Sequence, residues 1–331
     1  MEKIRRVNII STGSYAPEKI LSNDDLEKMV ETSDDWITSR TGIKQRRVVH
    51  DGLATSDLAT RAAEKALQQA GFAADCLDLI VVGTISPDNL FPSTACHVQR
   101  KIKAPNAAAF DLSAACTGFI YALSTGWKMI AAGMYQNALI IGAETLSKIV
   151  DYTDRGTCVL FGDGAGAVIL QPGETGHELL YSYLGADGNG AEMMFLPAGG
   201  SSLPASHKTV DERLHYMKLR GREVFKFAVL KMADLVKEAV EKCDLKVSDI
   251  SLVVPHQVNL RILESAAERL GISMDKILVN IDRYGNTSAA SVPIAFDEAA
   301  RSGRLKKGDI VVLVAFGGGL TWGSTVIRWG Q

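Results

Sequence analysis

One cysteine, one histidine and one asparagine in this 331-residue chain stand where a side chain can meet a substrate. Cys116 follows the apolar run Ala107 to Leu112 and the small residues Ser113, Ala114 and Ala115. A helical pattern opens directly after it, from Thr117 to about Gly133. A thiol at such a strand-to-helix turn lies at the positive end of the helix, where the macrodipole and free N–H groups favour thiolate. Together with Gly118, the small residues leave room for an electrophile to approach. His256 ends a second buried-strand pattern, Ser251 to Pro255, and Asn286 sits in the turn Tyr284 to Ser288. In open α/β sheets ligands gather outside the carboxyl ends of strands, which is where all three are predicted.

A cysteine, histidine and asparagine first suggest papain-like proteolysis, with the histidine as base for the thiol. A second chemistry suits them better. The thiol takes an acyl group from a thioester, and two neutral donors bind the carbonyl oxygen of another thioester while its enolate forms. If decarboxylation makes the enolate, no base is needed for a carbon-bound proton. No carboxylate or second cysteine is obviously paired with His256.

The other chemistry-bearing residues read as structural. Cys76, Cys96, Cys158 and Cys243 lack the turn context, and none of the five cysteines forms a CxxC pair, as expected of free thiols in a reducing compartment. His50, His97, His177, His207 and His215 have no metal-ligand spacing, so no metal is expected. Gly162–Gly166 and Gly317–Gly319 lack both the GK[ST] ending and the GxGxxG spacing of phosphate loops, and read as close backbone approaches. Asn286-Thr287-Ser288 matches a glycosylation triplet, read as accidental without an export signal. Trp36 and Arg40, four apart, share a helix face as a solvated cation–π pair.

The formal charge of −2 gives no support to nucleic-acid binding. The charged start with Glu2, Lys3, Arg5 and Arg6 is neither a signal peptide nor a span, and no apolar run reaches the roughly 18 residues a membrane helix needs. A soluble, cytoplasmic protein is expected.

The elements that must position these residues occur twice. Strands are predicted at Arg6–Gly13, Leu77–Ile85, Ala107–Leu112, Asn137–Glu144 and Val159–Leu170, and helices at Asn23–Thr32, Ser56–Gly71 (capped by Ser56), Pro92–Lys103 and after Cys116. From Gly173 the pattern restarts. Leu179–Gly185, Glu223–Cys243, Ser251–Pro255, Ile277–Ile281, Ser288–Ser302, Asp309–Phe316 and Gly323–Trp329 answer elements of the first set. Gly188–Met217 is a long irregular insert. The expected organisation is two pseudo-duplicated halves, 1–173 carrying the cysteine and 174–331 carrying the histidine and asparagine. Each alternates strands and helices, which predicts mixed sheets covered by helices.

At this point the residues match a family. Asp35-Trp36-Ile37 with Arg40-Thr41-Gly42-Ile43, Phe91-Pro92-Ser93, Ala115-Cys116-Thr117-Gly118-Phe119, Asp154-Arg155-Gly156-Thr157, Phe161-Gly162-Asp163-Gly164-Ala165, Pro255-His256-Gln257 with Asn259 and Arg261, Gly285-Asn286-Thr287-Ser288, and Phe316-Gly317-Gly318-Gly319 run almost end to end. Together they resemble β-ketoacyl-[acyl-carrier-protein] synthase III, the initiating condensing enzyme of type II fatty acid synthesis, of the thiolase-like fold. Elongating condensing enzymes use Cys/His/His and thiolases Cys/His/Cys, so the Asn286 turn separates the chain from both.

The resemblance implies an αβαβα arrangement of five layers and a decarboxylative Claisen condensation of an acyl-coenzyme A primer with malonyl-acyl carrier protein. It implies Cys116 as acyl carrier, the N–H groups of Cys116 and Gly318 as oxyanion hole, and His256 and Asn286 as partners of the malonyl thioester. Trp36, Arg40, Arg155, Gly221, Phe225 and Asn259 would bind coenzyme A, which is a substrate; no cofactor is implied. Lys226, Gln257, Arg261 and Arg269 would meet the carrier protein, although Glu268 stands where the family's basic patch often has a lysine. Phe91, Leu146 and Phe316 would shape the primer pocket, Phe91 arriving from the partner of a homodimer. A related acyltransferase or condensing enzyme of secondary metabolism is the alternative. The primer, two-carbon or short and branched, is left open.

Overall fold

The computed structural model describes residues 5–330. Nine principal strands are β1 (Val7–Tyr15), β2 (Leu79–Gly83), β3 (Ala108–Leu112), β4 (Ala138–Glu144), β5 (Gly164–Pro172), β6 (His177–Ala186), β7 (Ile250–Pro255), β8 (Ile310–Gly317) and β9 (Thr321–Arg328). The helices that matter here are α1 (Asp34–Thr41), α2 (Thr55–Ala70), α3 (Thr94–Ile102), α4 (Gly118–Ala131), α5 (Gly221–Glu241), α6 (Leu260–Leu270) and α7 (Ser291–Arg301).

Hydrogen bonding runs in the order β7-β8-β9-β6-β1-β5-β4-β2-β3. The junction between β6 and β1 is slight, with Asn8 opposite Glu178 and Ile9 opposite His177. On either side of it the strands mirror one another: β1-β5-β4-β2-β3 on one side, β6-β9-β8-β7 on the other, with parallel pairs β2–β4 and β7–β8 in matching places. Residues 173–176 form the turn between β5 and β6.

Strand residues alternate between two apolar layers, as their period of two requires. In β4, Ile140 faces α4 and α7 while Leu139 and Ile141 face α2 and α3. In β8, Val311 and Leu313 join α4 and α7 while Val312 and Val314 meet α5 and α6. The central pair α4 and α7 thus lies between the two mirrored sets of strands, and the other two helix pairs cover their outer faces. These strands read as continuous apolar runs because both faces are buried. Each such side chain contributes about 1.5–3 kcal/mol on burial.

Several sequence expectations shift. The helix expected at Asn23–Thr32 stops at Glu27, where Lys28 caps it. Ser56 does not cap α2; the cap is Ala54, whose N–H is taken by Asp57, while Ser56 bonds Asp88. Ile277–Ile281 is not a strand, since only Ile277 forms a bridge, with Val253. Strand β5 starts at Gly164, because Arg155–Cys158 form a helical turn before it. The insert contributes a short pairing of Met194–Phe195 with Lys218–Leu219 and a helix at His207–Asp211. No described helix is long and apolar enough to cross a membrane.

Candidate active site

Cys116 lies in a tight 3-10 turn, Ala115–Thr117, directly ahead of α4. Ala115 adopts a left-handed φ of 47°, and Ser288 has the same φ at the matching turn ahead of α7. Such conformations in non-glycine residues store strain and persist only where surrounding contacts enforce them. Here Thr117 donates to the Ala114 carbonyl at 2.5 Å, and Thr321 bonds that carbonyl at 3.0 Å and the Gly318 carbonyl at 3.1 Å. These bonds fasten the cysteine turn to the glycine run after β8. A Cβ on Gly317 would sit 2.6 Å from the Cys116 nitrogen, so only glycine admits this approach.

The thiol is 3% exposed, and burial pushes it up to about 12. Burial thus opposes the thiolate that the helix terminus favours.

His256 directly follows β7, its N–H bonded to the Val314 carbonyl at 2.8 Å. Its Nδ1 lies 2.6 Å from the Ser291 hydroxyl at the start of α7, and Phe316 packs edge-on with ring centroids 5.8 Å apart. Burial lowers the imidazole to about 3, so it is neutral at physiological pH. Asn286 is held by its backbone, its N–H on the Leu160 carbonyl and its own carbonyl on the Gly162 N–H. Its Oδ1 accepts the Ser288 N–H at 2.8 Å, which leaves the Nδ2 amide hydrogens for the cavity.

Cys116, His256, Asn286 and Phe316 line one end of a cavity of 510 Å³. Exposure rises toward the other end, at Trp36, Arg40, Phe225 and Lys226. Ser33 caps α1 by accepting the Trp36 N–H, and Gly42 ends the helix in a left-handed conformation. The Arg40 and Arg155 guanidinium carbons lie 5.1 and 5.0 Å from the Trp36 ring centroid. Arg155 also bonds the Glu31 carbonyl. Asn259 caps α6 and donates to the Arg40 carbonyl, while Arg261 donates to the Ser39 carbonyl, so the start of α6 is tied to the end of α1. Gly221 lines the same cavity, and an added Cβ there would meet nothing within 4 Å.

Other expected site residues fall elsewhere. Gln257 is 1% exposed, with its amide spent on the Pro255 and Leu278 carbonyls and the Asn280 and Ile281 N–H groups. It cannot touch a carrier protein; it braces the turn behind His256. Leu146 is fully buried among Leu26, Ile37 and Val159 and lines neither cavity described here. Arg269 is exposed on the last turn of α6 beside exposed Glu268. Phe91 is 87% exposed on a loop before α3. Gly318 borders a second cavity of 380 Å³, with Ala114, Ala115, Ile85, Met194 and Phe195. The irregular insert thus walls the far side of the cysteine turn. The glycine entry to β5 is a packing device, as a Cβ on Gly162 would lie 2.4 Å from the Tyr284 carbonyl.

Sequence reasoning missed Ser291, Ser288 and Glu144, which come near the reacting groups only through folding. The cross-half matching of turns could have pointed to Ser288, the counterpart of Ala115.

The sequence model of the family described as 3-Oxoacyl-[acyl-carrier-protein (ACP)] synthase III matches residues 110–188, and that of its C terminal part matches 240–329. A β-ketoacyl-[acyl-carrier-protein] synthase III of Caldanaerobacter subterraneus is 56% identical, covering 100% of this chain and 99% of the relative. One from Desulfitobacterium hafniense is 53% identical, covering 98% of each. The crystal structure of 3-oxoacyl-[acyl-carrier-protein] synthase III from Aquifex aeolicus superposes with a TM-score of 0.90 at 46% identity, over 98% of this chain and 100% of that one.

Proposed function

The chain belongs to the β-ketoacyl-[acyl-carrier-protein] synthase III family of thiolase-fold condensing enzymes, and we propose how its cavity performs the family's reaction. That reaction is the initiating condensation of an acyl-coenzyme A with malonyl-acyl carrier protein to give a 3-oxoacyl-acyl carrier protein. It is an acyl transfer of fatty acid biosynthesis.

In the first stage the Cys116 sulfur attacks the acyl thioester carbon, the N–H groups of Cys116 and Gly318 receive the oxyanion, and coenzyme A departs. In the second, the malonyl thioester oxygen sits between Nε2 of His256 and Nδ2 of Asn286. This role requires the ring proton on Nε2, with the Ser291 hydroxyl, 2.6 Å from Nδ1, as donor to that nitrogen. Two neutral donors in a dry site stabilise the enolate that forms as carbon dioxide leaves. The enolate carbon then attacks the acyl-cysteine. The neutral imidazole at the buried end supports this reading, since a donor is wanted there and not a cation.

Coenzyme A lies along the cavity, its adenine against Trp36 near Arg155, its diphosphate at Arg40, its pantetheine arm past Gly221, Phe225 and Asn259. Exposed Lys226, Arg261 and Arg269 attract the carrier protein. The primer occupies the second cavity, closed by Phe91 of a partner subunit in a homodimer.

The observation that carries this reading is the single cavity joining buried Cys116, His256 and Asn286 to half-buried Trp36 and exposed Arg40. Purified protein given malonyl-acyl carrier protein with acetyl- or isobutyryl-coenzyme A is expected to release carbon dioxide and form the matching 3-oxoacyl product. No product from either primer overturns the reading.

A further inference from the structure

The mechanism leaves one buried charge unused. Arg46 lies on the short strand Gln45–Arg47, which pairs with Ile20–Ser22. Strand alternation turns it inward while Gln45 and Arg47 stay half-buried. Its side chain is 0% exposed. Taking a guanidinium wholly out of water is costly unless its donors are met. Here they meet neutral oxygens: Nε at 3.1 Å and Nη2 both donate to the Val159 carbonyl, and Nη1 donates to the Asn23 side-chain oxygen. An acid enters only one step further on, where Asn23 Nδ2 donates to Asp34 Oδ1 at 2.6 Å.

What the Arg46 head holds is the start of the rail that carries Asn286. Val159 opens the stretch 159–162. The Leu160 carbonyl takes the Asn286 N–H at 2.8 Å, Phe161 forms a bridge with Asn286, and the Gly162 N–H returns to the Asn286 carbonyl at 3.0 Å. The Arg46 stem lies against the glycines on both sides of this contact. A Cβ on Gly162 would be 3.3 Å from Arg46 Cβ, and one on Gly285 would be 3.0 Å from Arg46 Cγ. The next residue, Arg47, accepts the Asp163 N–H at 2.7 Å, so the short strand also abuts the far end of the rail. Leu160, Phe161 and Asn286 line the 510 Å³ cavity, and Arg46 stands behind them.

We propose that Arg46 is the positioning residue for Asn286, its head clamping the Val159 carbonyl and its stem supporting Gly162 and Gly285. This rests on the reading of Asn286 as a donor to the malonyl thioester oxygen. The Asn286 side chain is tethered within its own turn, by the Ser288 N–H on Oδ1, so its Nδ2 moves with the backbone. A shift of about 1 Å in a positioned group can cost about 100-fold in rate. Loading draws on other contacts. The cysteine turn and the glycine run are fastened by Thr117 and Thr321. Helix α1 keeps its anchor too, since the Asn23 amide hydrogens, and not the oxygen that Arg46 uses, reach Asp34 and the Ile43 carbonyl. Loss of the guanidinium therefore falls on the second stage.

The test is a double-mutant cycle between Arg46 and Asn286, read by carbon dioxide release from malonyl-acyl carrier protein, with acyl loading of Cys116 measured beside it. Arg46→Met keeps most of the stem and removes the head. It should lower kcat for decarboxylation by about 100-fold, leave KM within about twofold and leave loading within about threefold. Arg46→Lys, which keeps a charged donor for the Val159 carbonyl, should recover all but about tenfold. In an Asn286→Ala background either change should add less than about threefold, because the donor they position is gone. Running the cycle with both variants keeps the result independent of how well Arg46→Met folds. Equal slowing with and without Asn286, loading and decarboxylation falling together, or wild-type decarboxylation by Arg46→Met overturns the proposal. Undiminished decarboxylation by Asn286→Ala alone would instead overturn the donor reading.

Discussion

At the cysteine, the histidine and the asparagine, the two stages of the reaction separate into different donors. Cys116→Ser should abolish acyl loading. His256→Ala and Asn286→Ala should retain loading and lose decarboxylation by about 100- to 1,000-fold, the usual cost of an oxyanion donor. Radiolabelled acyl transfer and carbon dioxide release, measured separately, check this; failure of either variant to load would place that residue in the first stage. His256 also leaves a mark on stability. Its folded pKa is near 3, against 6.5 for a free histidine, and His177 is lowered to about 4 by the same cause. Between those values the unfolded chain binds more protons than the folded one. Stability therefore rises with pH across that window and falls as pH drops from 6.5. Each histidine contributes a slope of up to about 1.4 kcal/mol per pH unit. His256→Gln should flatten the acid limb of the melting temperature against pH, by more than a surface control such as His207→Gln. An unchanged limb would mean that the ring charges in the folded protein.

Among the elements, the turn ahead of α4 and the turn ahead of α7 meet at the centre, and glycine decides how closely. A Cβ on Gly118 would lie 3.1 Å from Ala289 Cβ and 3.3 Å from the Gly83 backbone. One on Gly317 would press on the Cys116 nitrogen at 2.6 Å. Gly317→Ala should therefore displace the nucleophile, cost loading by about tenfold or more and destabilise the fold at least as much as Gly118→Ala. Gly118→Ala should strain the meeting of the two turns and destabilise the fold by about 1–3 kcal/mol. Denaturant titration with the loading assay distinguishes the two. The expectation that small residues around Cys116 leave space for substrate is thus only partly right, since Gly118 is small for its neighbours in the fold. Buried strands and amphipathic helices were legible because apolar period sets them, and so was the duplication. The cysteine turn, the Pro255-His256-Gln257 strand end and the Asn286 turn were legible from residue type and position. Element ends were less so: Ala54 caps α2 because Asp57 reaches back, and Ile277 forms a lone bridge in place of a strand. Gln257 looked like a surface partner because it adjoins His256, whereas its amide closes four buried backbone groups. His256 and Ser291 lie 35 residues apart in the chain, and no spacing could join them.

At the scale of the whole molecule, one edge of the strand order is unprotected. β3 ends the order with Ala108 exposed and the rest half-buried, and beside it Leu90 and Phe91 are 84% and 87% exposed. A half-exposed edge strand next to two bare apolar side chains invites pairing with a second copy, in which β3 meets β3 across a twofold axis. Phe91 would serve a site in its partner if, in that arrangement, the loop of one subunit reached the cysteine turn of the other. Complementation tests the exchange directly. Phe91→Asp should impair both sites of its own dimer, and Cys116→Ser should silence both of its own. Mixed and allowed to exchange subunits, the two inactive proteins form hybrids in which the Phe91→Asp chain supplies an intact Cys116 and receives an intact Phe91. With random pairing half the dimers are hybrids with one working site each, so activity should return to about a quarter of wild type. Recovery at that level, with a dimer in sedimentation, supports a site completed by its partner. No recovery despite proven hybrid formation would mean that Phe91 acts within its own chain.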